Sequence, residues 1–373
     1  MKRRPRRILR RVLIALILIL GVPILTLNLT WNFFGRETTD ADYSDWMLET
    51  LDGTRRVIDV AMLGAHDAMT SDIGYSSKVD PLSADSIQTG LTGALIKGFS
   101  VKQSKTQVST TAELLAHGVR YLDVRLTFDA ATGVWWTSHS YYSRPFTQDL
   151  ADIEAFLTEH PGEFLLIDIQ HVYGVDYDDE EPVTDLRTLL QDSGVLARAV
   201  RDDSGKTLAE FTVDDATLSQ SRGSVFLFSK FTVADPYLWD YVDSIRSAWP
   251  NTDVTDEAFS FLDDEAERIA AGTALTGNQV SDAEGIDSRL GIRVMQGVLT
   301  MRMSGDGILK AIGEWSLLSR ARDFNAALIG QEEFAIWLMA MPVVMVDYAD
   351  TNHEGFLDAI MALIESYNGG VEI

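Results

Sequence analysis

The sequence predicts an α/β fold, a distorted or incomplete TIM (β/α)8 barrel preceded by one N-terminal transmembrane helix. Short apolar runs rich in β-branched and aromatic residues alternate with helical patterns along residues 36–373, which is typical of a parallel sheet covered by helices. Roughly seven or eight such units in about 320 residues favour a barrel over an open sheet. Because the spacing is irregular, a doubly wound α/β sheet is the alternative.

The N-terminus predicts a membrane anchor. Residues 1–11 carry one Lys, six Arg and no acidic residue, whereas residues 12–35 contain no charged side chain. A run of about 20 apolar residues matches the thickness of a bilayer, and a preceding basic cluster follows the positive-inside rule. We therefore expect a cytoplasmic stub at 1–11, a signal anchor at 12–35, a linker at 36–49 and an extracytoplasmic barrel at 50–373. A cleaved signal peptide, which would make the protein secreted, is the alternative.

Charge and cysteine content exclude several classes of protein. The formal net charge is −25, and it becomes −32 once the basic stub is left out, which argues against a nucleic-acid partner. The chain contains no cysteine, so it cannot be a disulfide scaffold, a thiolate metal protein or a cysteine-nucleophile enzyme.

The predicted elements follow from runs of apolar residues and from helical periodicity. The strands are predicted at Val57–Met62, Tyr121–Leu126, Val134–Trp136, Phe164–Ile169, Val225–Phe228, Ile292–Leu299 and Val343–Val346. Helices are predicted at Thr110–His117, Thr147–Glu159, Thr184–Ala199 and Phe356–Ser366.

Two stretches depart from this alternation. Ser71–Val108 is rich in Ser, Thr and Gly and contains the apolar segment Leu91–Phe99, so it is predicted to be a surface loop with a short helix, or else a lid that contacts lipid. Asp176–Glu181 is an acidic run without the alternation of a calcium loop, and we expect it to be a solvated loop.

Candidate functional residues come from the ends of the predicted strands, because catalytic groups of a barrel follow the carboxyl ends of its strands. Apart from serine, the side chains at these ends that can carry acid–base, ionic or hydrogen-bonding chemistry are His66, Asp67, Asp123, Arg125, His139, Asp168, His171, Lys230, Gln296, Asp347, Tyr348 and Asp350.

This set suits phosphodiester cleavage without a metal ion. Imidazole titrates near neutral pH, and a carboxylate partner fixes its tautomer, so two histidines with separate acids can act as general base and general acid. An arginine adds a forked cation for a phosphoryl oxygen. Taken singly, each residue also has an ordinary explanation, and Asp123 with Arg125 could be a simple ion pair.

Five stretches give the sequence a family resemblance. They are AMLGAHDAMT (61–70), TQ (106–107), HGVRYLDVRL (117–126), WTSHS (136–140) and VVMVDY (343–348), and VMQGVLT (294–300) adds a weaker likeness. In this order they resemble the phosphatidylinositol-specific phospholipase C superfamily, in its metal-independent bacterial branch with an X-type catalytic barrel. The first and third stretches are the specific ones.

The resemblance implies roles for five residues. His66 matches the general base that deprotonates the inositol 2-hydroxyl, and Asp347 matches the acid that orients it. His139 matches the general acid for the diacylglycerol oxygen, with Asp67 as its partner. Arg125 matches the cation that holds the phosphate, at a position where the calcium-dependent branch has an acid. We therefore expect no cofactor, no metal and no calcium requirement.

The departures from the family pattern concern the substrate. The family's ring-contacting lysine is replaced by Gln170 and His171, and Lys230 stands where an arginine is found. Further candidates for substrate binding are Asp123 and Tyr348. We expect a phospholipid substrate and a membrane-anchored enzyme at a bacterial cell surface or in the periplasm. The alternatives are a related glycerophosphodiester or sphingolipid phosphodiesterase and a non-enzymatic, membrane-anchored binding module.

Overall fold

The computed structural model describes residues 39–83, 90–202, 205–217, 224–273, 287–301 and 317–371. The predicted stub and signal anchor lie outside these ranges, and the anchor therefore stays a prediction. Among the helices within the described ranges, none has the length and apolar character needed to cross a bilayer.

Parallel strands form the centre of the molecule. The strands are β1 (Met62–Ala65), β2 (Val119–Asp129), β3 (Val134–His139), β4 (Tyr141–Pro145), β5 (Phe164–Tyr173), β6 (Ser224–Ser229), β7 (Trp239–Asp240), β8 (Ile245–Arg246), β9 (Ile292–Gly297) and β10 (Val343–Val346). Eight of them pair in parallel in the order β7-β6-β5-β2-β1-β10-β9-β8. In the described part of the chain, β7 and β8 do not pair with each other, so the sheet has the form of an incomplete barrel.

Helices lie between most of the strands. They are α1 (Trp46–Thr50), α2 (Gly90–Ser104), α3 (Thr111–Ala116), α4 (Phe146–Glu159), α5 (Glu180–Asp192), α6 (Val213–Ala216), α7 (Tyr241–Ser244), α8 (Thr255–Ala270), α9 (Leu317–Ile329), α10 (Phe334–Ala340) and α11 (Phe356–Asn368). A capping box starts α3, where Thr110 and Glu113 satisfy each other's backbone N–H groups. The four predicted helices all overlap α3, α4, α5 or α11.

Two predicted strands differ from the observed ones. Val57–Asp59 forms a 3₁₀ turn whose Val57 N–H donates to the Phe211 carbonyl, and β1 begins only at Met62. The 3₁₀ turn and β1 are both largely buried, so their apolar composition does not show where the strand begins. The strand predicted at Val134–Trp136 is real, but it pairs antiparallel with β2 and β4 and lies outside the parallel order.

A buried ion pair closes the amino-terminal end of the barrel. Arg120 Nε donates to Glu163 Oε2 at 2.8 Å, and both side chains are fully buried. The same guanidinium donates to the backbone carbonyls of Tyr43 and Ser44, and Glu163 also accepts from the Leu48 N–H. This pair therefore fixes the segment around α1, part of the predicted linker, to the barrel.

The structure describes most of the first irregular stretch, residues 71–108, and all of the second, residues 176–181. Residues 71–108 contain α2, which runs for 15 residues and covers the predicted apolar segment. The acidic run at 176–181 leads into α5, and its residues 178–181 are exposed, as expected of a solvated loop.

Candidate active site

Strand order brings the first histidine and the late aspartate together. β1 and β10 are neighbours, with Ala65 opposite Val346, so the residues that follow them emerge side by side. His66 Nδ1 lies 2.7 Å from Asp347 Oδ1. The Nε2 atom of His66 is thereby directed away from Asp347 and left for chemistry.

Asp67 is shared by the second histidine and the arginine. Its Oδ2 lies 3.2 Å from His139 Nδ1 and 3.6 Å from His66 Nε2, and its Oδ1 pairs with the guanidinium of Arg125. Asp123 lies beneath this group, where its Oδ2 accepts from the Asp67 N–H at 3.2 Å. One buried carboxylate thus contacts both imidazoles and the cation.

A backbone carbonyl sets the tautomer of His139. Its Nδ1 lies 2.9 Å from the carbonyl oxygen of Ser104, which can only accept a hydrogen bond. The Nδ1 atom must therefore carry a proton, and Nε2 is the atom that exchanges one.

Unusual backbone conformations aim the side chains. Five non-glycine residues among those described have positive φ, and three of them are at this site: Asp67 (43°), Ser140 (62°) and Tyr348 (51°). They are Asp67 itself and the residues directly after His139 and Asp347. Such conformations are costly and concentrate at functional sites.

Gly64 allows the strands below the site to approach closely. A Cβ atom at this position would lie 3.1 Å from the Tyr121 ring and 3.3 Å from the Met345 Cα. The absence of a side chain therefore keeps β1 tightly packed between β2 and β10.

The pKa values of the two histidines are shifted in opposite directions. Burial alone would lower the pKa of His66, but Asp67, Asp347 and Asp123 outweigh it and raise that pKa to about 9. Burial lowers the pKa of His139, helped by Arg125 and opposed by Asp67. The pKa of Asp67 stays well below its usual range because Arg125 and both histidines outweigh its burial. At neutral pH, His66 is therefore the charged imidazole and His139 the neutral one.

A bulge in β5 changes which residues face the cation. Asp123 is paired in register with Asp168, but one extra residue on β5 places His171, not Gln170, opposite Arg125. Burial together with Arg125 and Lys230 lowers the pKa of His171 to about 4. Burial next to Asp123 raises the pKa of Asp168 to about 8, although Tyr121 donates a 2.7 Å hydrogen bond to it.

Lys230 directly follows β6 and lies in the same part of the barrel interior as Asp168. Its Nζ is 4.5 Å from the centre of the Tyr241 ring, a cation–π contact, and burial lowers its pKa. Gln170 is buried and its side chain lies next to Tyr241. These residues are grouped with Asp168 and Arg125, so the structure brings them to the catalytic end of β5 and β6.

Three other strand-end residues have structural partners. Tyr348 is fully buried and its hydroxyl donates to the Lys105 carbonyl, so no edge of its ring is open to a substrate. Gln296 donates to Ser247, and Asp350 pairs with His117 at 2.9 Å. Their contacts account for them without a ligand.

Comparison with known proteins gives relatives of one kind. No family model matches the chain. The PI-PLC X domain-containing protein 3 of Mus musculus is 25% identical over 228 residues, which are 59% of this chain and 68% of the relative. The variant-surface-glycoprotein phospholipase C of Trypanosoma brucei brucei is 27% identical over 256 residues, 64% of this chain and 69% of the relative.

Solved structures show the same fold. The phosphatidylinositol-specific phospholipase C from Listeria monocytogenes superposes with a TM-score of 0.56 over 86% of this chain and 98% of its own, at 15% identity. A structure of the enzyme from S. aureus gives 0.52 over 90% and 100%, at 14% identity. The sequence relatives and the shared fold together support the phosphatidylinositol-specific phospholipase C superfamily with its X-type barrel. The family predicted from the motifs is confirmed.

Among the described residues, one group at this site has the geometry for a metal ion. His66, Asp67 and Asp123 offer ligand atoms that lie within 4.8 Å of one another. The donor set fits a divalent ion in kind, but the second oxygen of Asp67 is paired with a guanidinium. The other oxygen of Asp67, which faces His66 Nε2, is also in contact with His139 Nδ1 and would have to be shared with the ion.

Strand-end reasoning missed the residues that hold this phospholipase-like site together. They lie at the end of α2, in the loop before α3 and on α9: Ser104, Thr106, Gln107 and Asn325. Thr106 and Gln107 form one of the family-like stretches, which was the available signal. A buried polar residue in a loop is otherwise indistinguishable from a solvated one in sequence.

Proposed function

We propose that this protein is a phosphodiesterase of phospholipase C type that cleaves phosphatidylinositol-like lipids to diacylglycerol and an inositol phosphate. The observation that carries the proposal is the shared Asp67 carboxylate, which brings His66, His139 and Arg125 around one point at the open end of the barrel. The relatives named phospholipase C support the reaction class.

The proposed reaction uses the two imidazoles in sequence, and it starts from the minor protonation state in which His66 is neutral and His139 is charged. His66 Nε2, with its ring held by Asp347, takes the proton of the inositol 2-hydroxyl as that oxygen bonds to phosphorus. His139 Nε2 gives a proton to the diacylglycerol oxygen as the phosphorus–oxygen bond breaks. Arg125 stabilises the charge that grows on the phosphoryl oxygens. The product of this step is a cyclic phosphate, provided that the head group has an adjacent hydroxyl.

Metal independence is part of the proposal, and Arg125 supports it. The guanidinium occupies one oxygen of Asp67 and repels a divalent ion at the same place. The cluster of His66, Asp67 and Asp123 favours the second candidate, a metal-dependent phosphodiesterase. Membrane anchoring through residues 12–35, with the barrel outside the cytoplasm, remains proposed from the sequence; a tethered enzyme would meet its lipid at high effective concentration.

A panel of labelled lipids tests both candidates. We expect release of diacylglycerol and a cyclic phosphate from phosphatidylinositol vesicles, in the presence of a chelator as well as in its absence. Recovery of activity only on addition of calcium or magnesium would favour the metal-dependent candidate. Cleavage of glycerophosphodiester or sphingolipid substrates but not of phosphatidylinositol would overturn the head-group assignment.

The His66→Ala variant is the matched control for this panel. We expect it to fold as the wild type does and to lose about 10²–10⁴-fold in turnover, the usual contribution of a general base. Wild-type turnover in this variant would exclude the proposed mechanism.

A further inference from the structure

The segment Ser104–Gln107, which we name the strap, contacts every element that carries a candidate catalytic histidine or acid. The Ser104 carbonyl accepts from His139 Nδ1 at 2.9 Å. The Thr106 hydroxyl donates to the Asp67 carbonyl at 3.0 Å. Gln107 reaches the ends of β1 and β10. The strap is nearly or fully buried at Ser104, Thr106 and Gln107, although only Ser104, the last residue of α2, belongs to a helix or strand.

Both the nitrogen and the oxygen of the Gln107 side-chain amide form hydrogen bonds at these strand ends. Its Nε2 donates to the His66 carbonyl at 2.9 Å and to the Val346 carbonyl at 3.1 Å, and its Oε1 accepts from the Ala349 N–H at 3.0 Å. The His66 N–H donates to the same Val346 carbonyl at 3.1 Å. One side chain thus ties together the two strand ends from which His66 and Asp347 project.

Other contacts hold the strap itself. The Gln107 and Thr106 N–H groups both donate to the Thr70 hydroxyl, at 3.1 and 3.2 Å. The Tyr348 N–H donates to the Thr106 carbonyl at 2.7 Å, and the Tyr348 hydroxyl donates to the Lys105 carbonyl. Tyr348, a sequence candidate for substrate binding, therefore serves as an attachment point for the strap.

We infer that Gln107 is a positioning residue that sets the alignment of the His66–Asp347 pair relative to His139. The reason is geometric: a buried amide that makes three hydrogen bonds to two strand ends fixes their separation, and a shift of about 1 Å in a reacting group costs about 10²-fold in rate. Nothing in the proposed chemistry passes through Gln107 itself. The catalytic part of this inference rests on the proposed function.

The test compares three variants of the full chain. Gln107→Leu keeps approximate size and removes all three hydrogen bonds. Gln107→Asn keeps the amide and shortens its reach by one methylene, and serves if the leucine variant does not fold. Gln331→Leu is the matched control, because its Nε2 also donates to a backbone carbonyl, that of Ala327 at 3.0 Å, outside the catalytic cluster.

Turnover provides the first measurement. With phosphatidylinositol vesicles, we expect kcat to fall about 10²-fold in Gln107→Leu and by less in Gln107→Asn, with KM changed by less than about threefold. Gln331→Leu should keep wild-type kcat even if its melting temperature falls. A Gln107→Leu variant that loses stability but keeps its kcat would reduce Gln107 to a purely structural role.

Imidazole NMR provides a measurement that does not depend on activity. In ¹⁵N-labelled wild-type protein without substrate, we expect a hydrogen-bonded Hδ1 signal from His66 and a neutral Nδ1–H tautomer for His139. Gln107→Leu should broaden or shift the His66 signal, and an unchanged spectrum would overturn the inference. If the wild type cleaves no lipid, the proposed function fails, yet this spectrum still tests whether Gln107 positions His66.

Discussion

His66 and Asp347 are separated by 281 residues in the chain and by 2.7 Å in the structure, between Nδ1 and Oδ1. The pair forms because the first and last strands of the barrel are neighbours. Its electrostatic effect is large, since Asp347 is one of the acids that raise the pKa of His66 to about 9. The first prediction follows from this pair.

We expect the Asp347→Asn variant to shift the pH profile of kcat/KM. The base must be neutral and the acid protonated, but in the free protein the pKa of His66 is raised and that of His139 is lowered. The productive form is therefore a minor one. The alkaline limb of the profile should lie near pH 9 and reflect His66, and the acidic limb should lie below pH 6.5 and reflect His139.

Removing the Asp347 charge lowers the pKa of His66, so the alkaline limb should move to lower pH. Turnover should fall because the His66 ring loses the charged partner that orients it. Asp350→Asn is the control, because Asp350 pairs with His117 instead. An alkaline limb that stays near pH 9 in Asp347→Asn would show that another group titrates there.

The second prediction concerns His139. In the His139→Ala variant, turnover of phosphatidylinositol should fall about 10²–10⁴-fold because the leaving oxygen loses its proton donor. A substrate with a better leaving group, such as a nitrophenyl ester of inositol phosphate, needs less help from an acid. We expect that substrate to retain much more of its rate. Equal losses for both substrates would argue that His139 is not the acid.

The third prediction separates charge from geometry at Arg125. Lysine keeps the positive charge but cannot offer the planar fork that suits a phosphoryl group. Arg125→Lys should therefore lose about 10²–10³-fold in kcat with little change in folding. Arg198→Lys serves as the control, because the Arg198 guanidinium forms a forked ion pair with Glu154 outside the catalytic cluster. Wild-type kcat in Arg125→Lys would reduce the role of the arginine to simple charge balance.

The fourth prediction concerns stability at the opposite end of the barrel. Glu163→Gln leaves the buried Arg120 without its counter-charge, and breaking such a pair costs about 3–5 kcal/mol. The free energy of unfolding should fall by this amount in denaturant titrations, while kcat at low temperature stays unchanged. Arg289→Gln breaks an exposed ion pair with Asp287 and should cost less than about 1 kcal/mol. Equal losses in the two variants would contradict this reading.

The sequence predicted the central sheet and much of the site because both depend on local patterns. Apolar runs predict six of the eight barrel or hairpin strands that are longer than two residues. The rule that catalytic groups follow the ends of strands selects His66, Asp67, Arg125, His139 and Asp347. Strands of two residues, such as β7 and β8, carry no periodic signal of their own and were not predicted.

The features that were predicted wrongly or not at all depend on contacts between distant parts of the chain. A strand's composition does not state whether it will pair parallel or antiparallel, so β3 was placed in the barrel although it forms a hairpin with β4. The bulge at Gln170 alters which side chain faces Arg125, and no sequence rule locates it. Gln107 acts through backbone groups distant in the chain, and only the fold reveals them.

The hairpin of β3 and β4 divides the proposed catalytic pair between two structural units. His66 directly follows barrel strand β1, whereas His139 is the last residue of β3 and belongs to the hairpin. The distance between the two imidazoles therefore depends on the antiparallel pairing of β3 with β2 as well as on the order of the parallel strands. A change in the register of β3 on β2 would change that distance and leave the pairing of the parallel strands as it is. For protein engineering, the hairpin is the element to vary when leaving groups of different bulk are to be accommodated.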